Sequence, residues 1–244
     1  VDLSGWSRAM QEGMRSSGAT KPPSSAVVAA PVRSEREGDW EYRLVSDDSQ
    51  GSHAAITGYR GSKTHLVIPE FLGGVPVSGV SSQAFARCRV SFEGVEVSAG
   101  NAFFSTDGIA LFDKCAETLL KALVAVESYK VPDGCVSIAP AAFKGMSSLR
   151  KLEFDEGLEE IGSYAFFRTS LERVVCPPSL RAIGEKAFAS TRLNEVGLNE
   201  GLQAIGDQAF SGTKIGKALL PATLEHLGTK AFWNSEIDFN DPGA

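Results

Sequence analysis

Ile183-Gly184-Glu185-Lys186-Ala187-Phe188 decides the fold, because the stretch recurs. The frame Ile-Gly-x-x-Ala-Phe returns as Ile161 to Phe166, Ile205 to Phe210 and, with Leu at its head, Leu227 to Phe232. Looser copies run from Ile138 to Phe143 and from Val80 to Phe85. The five regular phenylalanines, Phe143, Phe166, Phe188, Phe210 and Phe232, lie 22 or 23 residues apart. A fixed period of that length is the signature of a solenoid, in which each repeat buries its apolar face against the next.

Counting from each Ile or Leu anchor, apolar residues return at fixed places. One row is Leu149, Leu171, Leu193, Ile215 and Ile237. A second is Leu152, Val174, Val196 and Ala218, and a third is Phe154, Cys176, Leu198 and Leu220. A fourth is Leu158, Leu180, Leu202 and Leu224. These rows are expected to stack along one core, with Phe85, Phe143, Phe166, Phe188, Phe210 and Phe232 as its structural phenylalanines. Within each frame, Ile and Phe point inward, Gly lets the chain turn and Ala fits close to the neighbouring coil. Three residues after each Phe comes a polar row, Thr169, Thr191, Thr213 and Ser235. Hydroxyls there can bond backbone groups freed at a bend.

Around this repeat the chain changes texture. Residues 1–38 read as a flexible leader and linker: Leu3, Trp6, Met10 and Met14 have rough helical spacing, and Ser16 to Ala30 is rich in small residues and proline. Residues 39–244 form the repeat domain. Within it, 39–88 hold an N-terminal cap and first repeat, 89–137 a repeat with an inserted β-meander, and 138–244 the regular repeats. The cap is read from the strand-like runs Glu41 to Val45, Ala54 to Tyr59 and His65 to Pro69, since terminal repeats are usually atypical. The meander is read from Asp107-Gly108 between two apolar runs, a hairpin signal.

Composition narrows the function classes. The 244-residue chain carries a formal net charge of −6, which disfavours nucleic acid. Apolar runs such as Ala122 to Val126 are far too short to span a bilayer, so no membrane insertion is expected. Val1 is not an initiator methionine, as in a processed or excerpted chain. Cys135 and Cys176 fall in core rows and Cys88 in the Thr/Ser row, which favours free, packed thiols over redox or metal roles. Cys115 lies in the meander, and a disulfide to Cys135 stays open.

The repeat Leu-x-x-Val-x-Leu-Pro-x-x-Leu-x-x-Ile-Gly-x-x-Ala-Phe-x-x-Thr resembles the BspA-type leucine-rich repeats of bacterial surface proteins. The best copies are Leu171 to Phe188 and Ile215 to Phe232, with Pro177 and Pro221 after the strand. Ile56 to Gly61, Val67 to Pro69 and Phe103 to Lys114 resemble the family's N-terminal repeat and hairpin insertion. The resemblance covers residues 40–237, with Ala139 and Ser81 replacing the glycine in two copies. It implies a right-handed superhelix of parallel strands, β-rich α/β, with short helical turns at Ala-Phe. It also implies an extracellular or cell-surface protein acting in adhesion or recognition, often as one module of a longer chain.

Enzyme signatures are weak. The three histidines, His53, His65 and His226, lie in separate segments, and His226 sits in the column of Glu160, Ala182 and Ala204. Gly61-Ser62-Lys63-Thr64 lacks the order of a phosphate loop. Asp155, Glu156, Glu159 and Glu160 read as a solvated face, and Asp238, Asn240 and Asp241 do not complete a calcium loop. No catalytic residue, metal or cofactor is therefore assigned. Strand alternation points every second residue outward, giving the rows Lys130, Glu153, Val175, Gly197, Leu219 and Lys151, Arg173, Glu195, Lys217. These nine residues are the candidate binding face for a protein or cell-surface glycan, and the hairpin tip Thr106-Asp107-Gly108 is a second candidate. The expectation is a non-catalytic recognition or adhesion module. The alternative is a structural or targeting module appended to a catalytic domain outside this chain.

Overall fold

The computed structural model describes residues 34–47, 51–88 and 90–237. The amphipathic pattern at Leu3 to Met14, the linker and Asp238 to Asp241 lie outside these residues. From residue 128 onward the chain winds as a β-solenoid. Each coil contributes a two-residue strand and the Ala-Phe turn, and the first four also contribute a three-residue strand. The two-residue strands stack in parallel: Ser137–Ile138, Glu160–Ile161, Ala182–Ile183, Ala204–Ile205 and His226–Leu227. Their ladder pairs Ile138 with Ile161, Ile183, Ile205 and Leu227 in turn, so the anchor column is the one expected from the repeat.

The three-residue strands lie across the core from this sheet. Ser128–Lys130 pairs with Lys151–Glu153, and Arg173–Val175 with Glu195–Gly197, as two separate parallel pairs. In each strand the middle residue is buried and its neighbours face out, the alternation of an extended chain. Leu149, Leu171, Leu193 and Ile215 are fully enclosed, as are Leu158, Leu180 and Leu202. At the last described coil the packing loosens. Leu220, placed in a core row by its register, is 38% exposed, and the anchor Leu227 is 44% exposed. No described coil stacks on that side of them.

The Ala-Phe segments are not helical turns. Among the described residues there is no helix, and two features of the backbone exclude one. The residue before each Ala is left-handed: Ala141, Tyr164, Lys186, Gln208 and Lys230 have φ between 51° and 60°. A second left-handed residue follows at Gly145, Arg168, Ser190, Gly212 and Asn234. The chain therefore makes successive tight turns, with Ala165 N–H donating to Gly162 O, Phe167 N–H to Tyr164 O and Thr169 N–H to Phe166 O. Alternate amides leave the coil. Tyr164, Phe166 and Arg168 donate to Glu185, Ala187 and Ala189 of the next coil at 2.8–3.1 Å. The turns thus form a third ladder, which offsets the unfavourable left-handed geometry by satisfying backbone groups between coils. Each hydroxyl of the Thr row donates to the Phe carbonyl of its own coil, as Thr191 Oγ1 does to Phe188 O at 2.8 Å.

Glycine has a different task from the one its place in the motif suggested. Gly162, Gly184 and Gly206 are not left-handed. A Cβ on any of them would lie 2.5–2.6 Å from a backbone nitrogen of the preceding coil. Close approach between coils is what demands glycine.

The N-terminal part differs from the expected cap. Glu35–Glu37, in the stretch read as leader, pairs antiparallel with Trp40–Asp47, which pairs in turn with Gly51–Tyr59. But Gly51–Tyr59 also runs parallel to Val75–Val80, and His65–Ile68 parallel to Gly94–Val97. Parallel stacking of segments a coil apart is solenoid pairing, so the region already contains a coil. The meander forms as Phe104–Thr106, Ala110–Asp113 and Thr118–Ala122, and joins edge-on to the sheet of two-residue strands. The strand Ala110–Asp113 divides two cores: Ala110 and Phe112 face the regular repeats, Leu111 the N-terminal cluster. Phe85 belongs to that N-terminal cluster, half-buried against Trp40 and Phe92, and stands outside the column of the five regular phenylalanines.

Candidate functional site

The candidate face rests on the two three-residue strand pairs. Lys130 and Glu153 are ladder partners, as are Arg173 with Glu195 and Val175 with Gly197. Because Leu152, Val174 and Val196 are drawn into the core, their neighbours Lys151, Glu153, Arg173, Val175 and Glu195 are exposed. Lys217 and Leu219 flank the buried Ala218 in the next coil, but that segment is not a strand. The face is therefore two ladder pairs and an irregular fifth coil, rather than one sheet of five.

Several charges on and beside it are paired. Arg173 Nη2 meets Glu195 Oε1 at 3.0 Å, and Arg150 meets Glu172 at 3.2 Å. Lys130 lies 3.3 Å from Asp133 and 4.0 Å from Asp155, and the hydrogen bond and charge of Asp133 raise its pKa. Such exposed pairs add little stability but fix side-chain positions. Set among them, Val175 is 56% exposed and Leu219 71% exposed.

The hairpin tip is occupied by its own structure. Asp107 Oδ1 accepts from the Ile109 and Ala110 amides, and Asp107 Oδ2 accepts from Tyr129 Oη at 2.6 Å. Burial and this hydrogen bond hold the Tyr129 hydroxyl protonated. Thr106 Oγ1 donates to Ala110 O at 2.7 Å.

Side chains leaving the Ala-Phe turns form a second surface, which the motif reading passed over. Tyr164 and Phe167 meet edge to face at 5.7 Å. Lys144 stands 5.3 Å from the Tyr164 ring, Lys186 5.3 Å from the same ring, and Arg168 5.0 Å from Phe167. Glu185 Oε1 accepts from Tyr164 Oη at 2.8 Å and Lys186 Nζ at 3.0 Å. Burial works to raise the Glu185 pKa, but these hydrogen bonds and the Lys186 charge outweigh it and the net shift is downward. The repeat register carried part of the signal: directly before Ala, Tyr164, Lys186, Gln208 and Lys230 are half-buried or exposed, and directly after Phe so are Lys144, Phe167 and Trp233, whereas Ala141, Ala189 and Ser211 at the same places are buried.

All four cysteines are free thiols. Cys135 and Cys176 are buried, Cys88 is half-buried and Cys115 is exposed. Burial pushes the Cys176 thiol up to about 12. Among the described residues, no three His, Cys, Asp or Glu side chains are grouped to hold a metal ion, and no helix is long and apolar enough to cross a membrane. His226 takes its place in the ladder column Glu160, Ala182, Ala204, exposed at the end of the sheet.

The chain is similar to the pneumococcal vaccine antigen PcpA, at 26% identity and a TM-score of 0.49, covering 75% of this chain and 39% of that one. It is similar to a T. pallidum leucine-rich repeat protein at 25% identity and a TM-score of 0.47, covering 57% of this chain and 68% of that one. A leucine-rich cell surface protein of Faecalibacterium prausnitzii A2-165 aligns at 17% identity and a TM-score of 0.41, covering 86% of this chain and 56% of that one. A search of curated proteins gave no match. The model of the BspA-type leucine-rich repeat region matches residues 116–238 in six copies, half of the chain. The chain belongs to the BspA-type leucine-rich repeat family.

Proposed function

We propose that the chain is a non-catalytic recognition module of a secreted or cell-surface protein, contacting a protein or cell-surface glycan through the outward strand face. Membership of the repeat family supports a recognition module, and the family's bacterial surface proteins support the location. The observation that carries the reading is Val175, 56% exposed at the end of a parallel strand pair and on the same side as the paired charges Arg173 and Glu195. An apolar residue held rigidly among fixed charges suits a protein contact, where an apolar centre is ringed by polar groups.

The test is retention of ligands from host matrix proteins and cell-wall glycans by the immobilised chain. Reversing the charges of Lys151, Arg173 and Lys217 together is expected to abolish retention. Retention unchanged by that triple reversal would exclude this face.

A further inference from the structure

We propose a second binding site, distinct from the strand face, that takes an extended acidic peptide segment carrying an apolar side chain. It is a cleft of about 450 Å³ where the turn after Val80 meets the meander and the first regular coils. Its floor is apolar, with Phe85, Phe92, Leu123 and Met146. Three cations line it, Lys121, Lys144 and Arg168. Among the described residues no Asp or Glu does, in a chain whose net charge is −6.

Among the described residues these cations have no carboxylate partner, unlike the paired basic residues of the strand face. Lys130, Arg150 and Arg173 each reach a carboxylate, whereas among the described residues none bridges to Lys121, Lys144 or Arg168. Lys144 and Arg168 instead rest over the Phe167 ring, at 5.7 and 5.0 Å. Lys121 is half-buried, and its Nζ donates to Ala141 O at 2.6 Å. Burial, with Lys144 nearby, lowers its pKa to about 8, so an incoming carboxylate would relieve an unfavourable charge.

Unmatched positive charge above an apolar floor calls for a ligand with both characters. A sugar ring would bring several hydroxyls onto phenylalanine and methionine, where they would lose water without gaining partners. An aliphatic or aromatic side chain flanked by carboxylates has no such cost. The cleft also continues. A second cleft of about 820 Å³ shares Gln83, Ala86 and Val90 with it and, among the described residues, carries Arg36, Arg60 and Arg87 against one acid, Glu41, which pairs with Arg60. Together they give a basic track longer than one residue, which fits an extended chain.

The site is tested by fluorescence polarisation with a labelled hexapeptide of alternating Glu and Leu. The Gln-for-Glu version, hexaglutamate and a galacturonate oligomer serve as comparisons. The acidic–apolar peptide is expected to bind at low salt, and each comparison to bind about tenfold more weakly or not at all. The two exposed cations of the cleft, Lys144 and Arg168, are replaced in the double variant Lys144→Glu/Arg168→Glu, with retained circular dichroism as the folding check. This variant is expected to lose about tenfold or more in affinity, and Lys214→Glu to lose nothing. Absent binding, equal binding of the Gln version, preference for the uronate oligomer, or an unaffected double variant would each overturn the proposal. The strand-face reversal leaves this cleft intact, so the two sites fail separately.

Discussion

The rings of Phe188 and Phe210 lie parallel within 3°, with their centroids 5.4 Å apart. The same relationship links Phe143 to Phe166, Phe166 to Phe188 and Phe210 to Phe232, at 5.0–5.1 Å and within 18°. Adjacent strands in a sheet are about 4.8 Å apart. The phenylalanine column therefore keeps nearly the spacing of the backbone ladders. Side-chain stacking and backbone pairing impose one register, and neither can slip without breaking the other. Ahead of Phe143 the column meets Tyr129, at 5.3 Å and tilted by 56°.

That register makes the turn glycines and the left-handed residues opposite in their tolerance. Gly184→Ala places a Cβ 2.5 Å from Ser163 N and is expected to destabilise the fold by about 1–3 kcal/mol, the range for forced overpacking. Gln208→Gly frees a residue held at φ 56° and is expected to be neutral or stabilising by about 1 kcal/mol. Urea denaturation of the two variants is the check. The reverse order of stabilities would mean that glycine serves the turn and not the close approach.

The period, the anchor column and the buried rows were legible because they depend only on which positions are apolar. Leu158, Leu180 and Leu202 are enclosed where counting placed them. The turn geometry was not legible, because Tyr164, Lys186 and Gln208 are ordinary residues and nothing in their identity announces a positive φ. The need for the next coil's carbonyls creates it. Leu220 shows the second limit: its register matches Cys176, yet it lies in the last described coil, and burial depends on neighbours that register cannot supply. The candidate face was legible only as outward positions. Its pairing of Arg173 with Glu195 was implicit in their 22-residue spacing, but the break between Lys151–Glu153 and Arg173–Val175 left no trace in residue type. The basic cleft joins residues from positions 82 to 168, so no local motif carried it.

Stability is expected to depend on Lys121 above neutral pH. Its amine titrates near 8 in the folded chain and at its ordinary 10.5 when unfolded. Between these values the unfolded state binds more protons, so stability rises with pH, and below about 8 the full cost of the buried charge is present. The wild type should therefore gain on Lys121→Met between about pH 7.5 and 9.5 in urea titrations. A constant difference between the two proteins would show that Lys121 is not desolvated.

The thiols should react in order of exposure. Cys115 is expected to label rapidly in the native protein with a disulfide reagent, and Cys115→Ser to remove that phase. Cys176, with its thiol held near 12 by burial, should label only on unfolding. Mass spectrometry of the labelled peptides separates them. Native labelling of Cys176 at the rate of Cys115 would place it outside the core.

The phenylalanine column is the centre of this account, and one substitution tests it most directly. Phe188 is fully buried between Phe166 and Phe210. Phe188→Ala is expected to lower the unfolding free energy by about 3–5 kcal/mol in urea titrations, the range for truncating an enclosed phenylalanine. A variant as stable as the wild type would mean that the Ala-Phe element does not stack in the core, and the solenoid register described for these coils would be wrong.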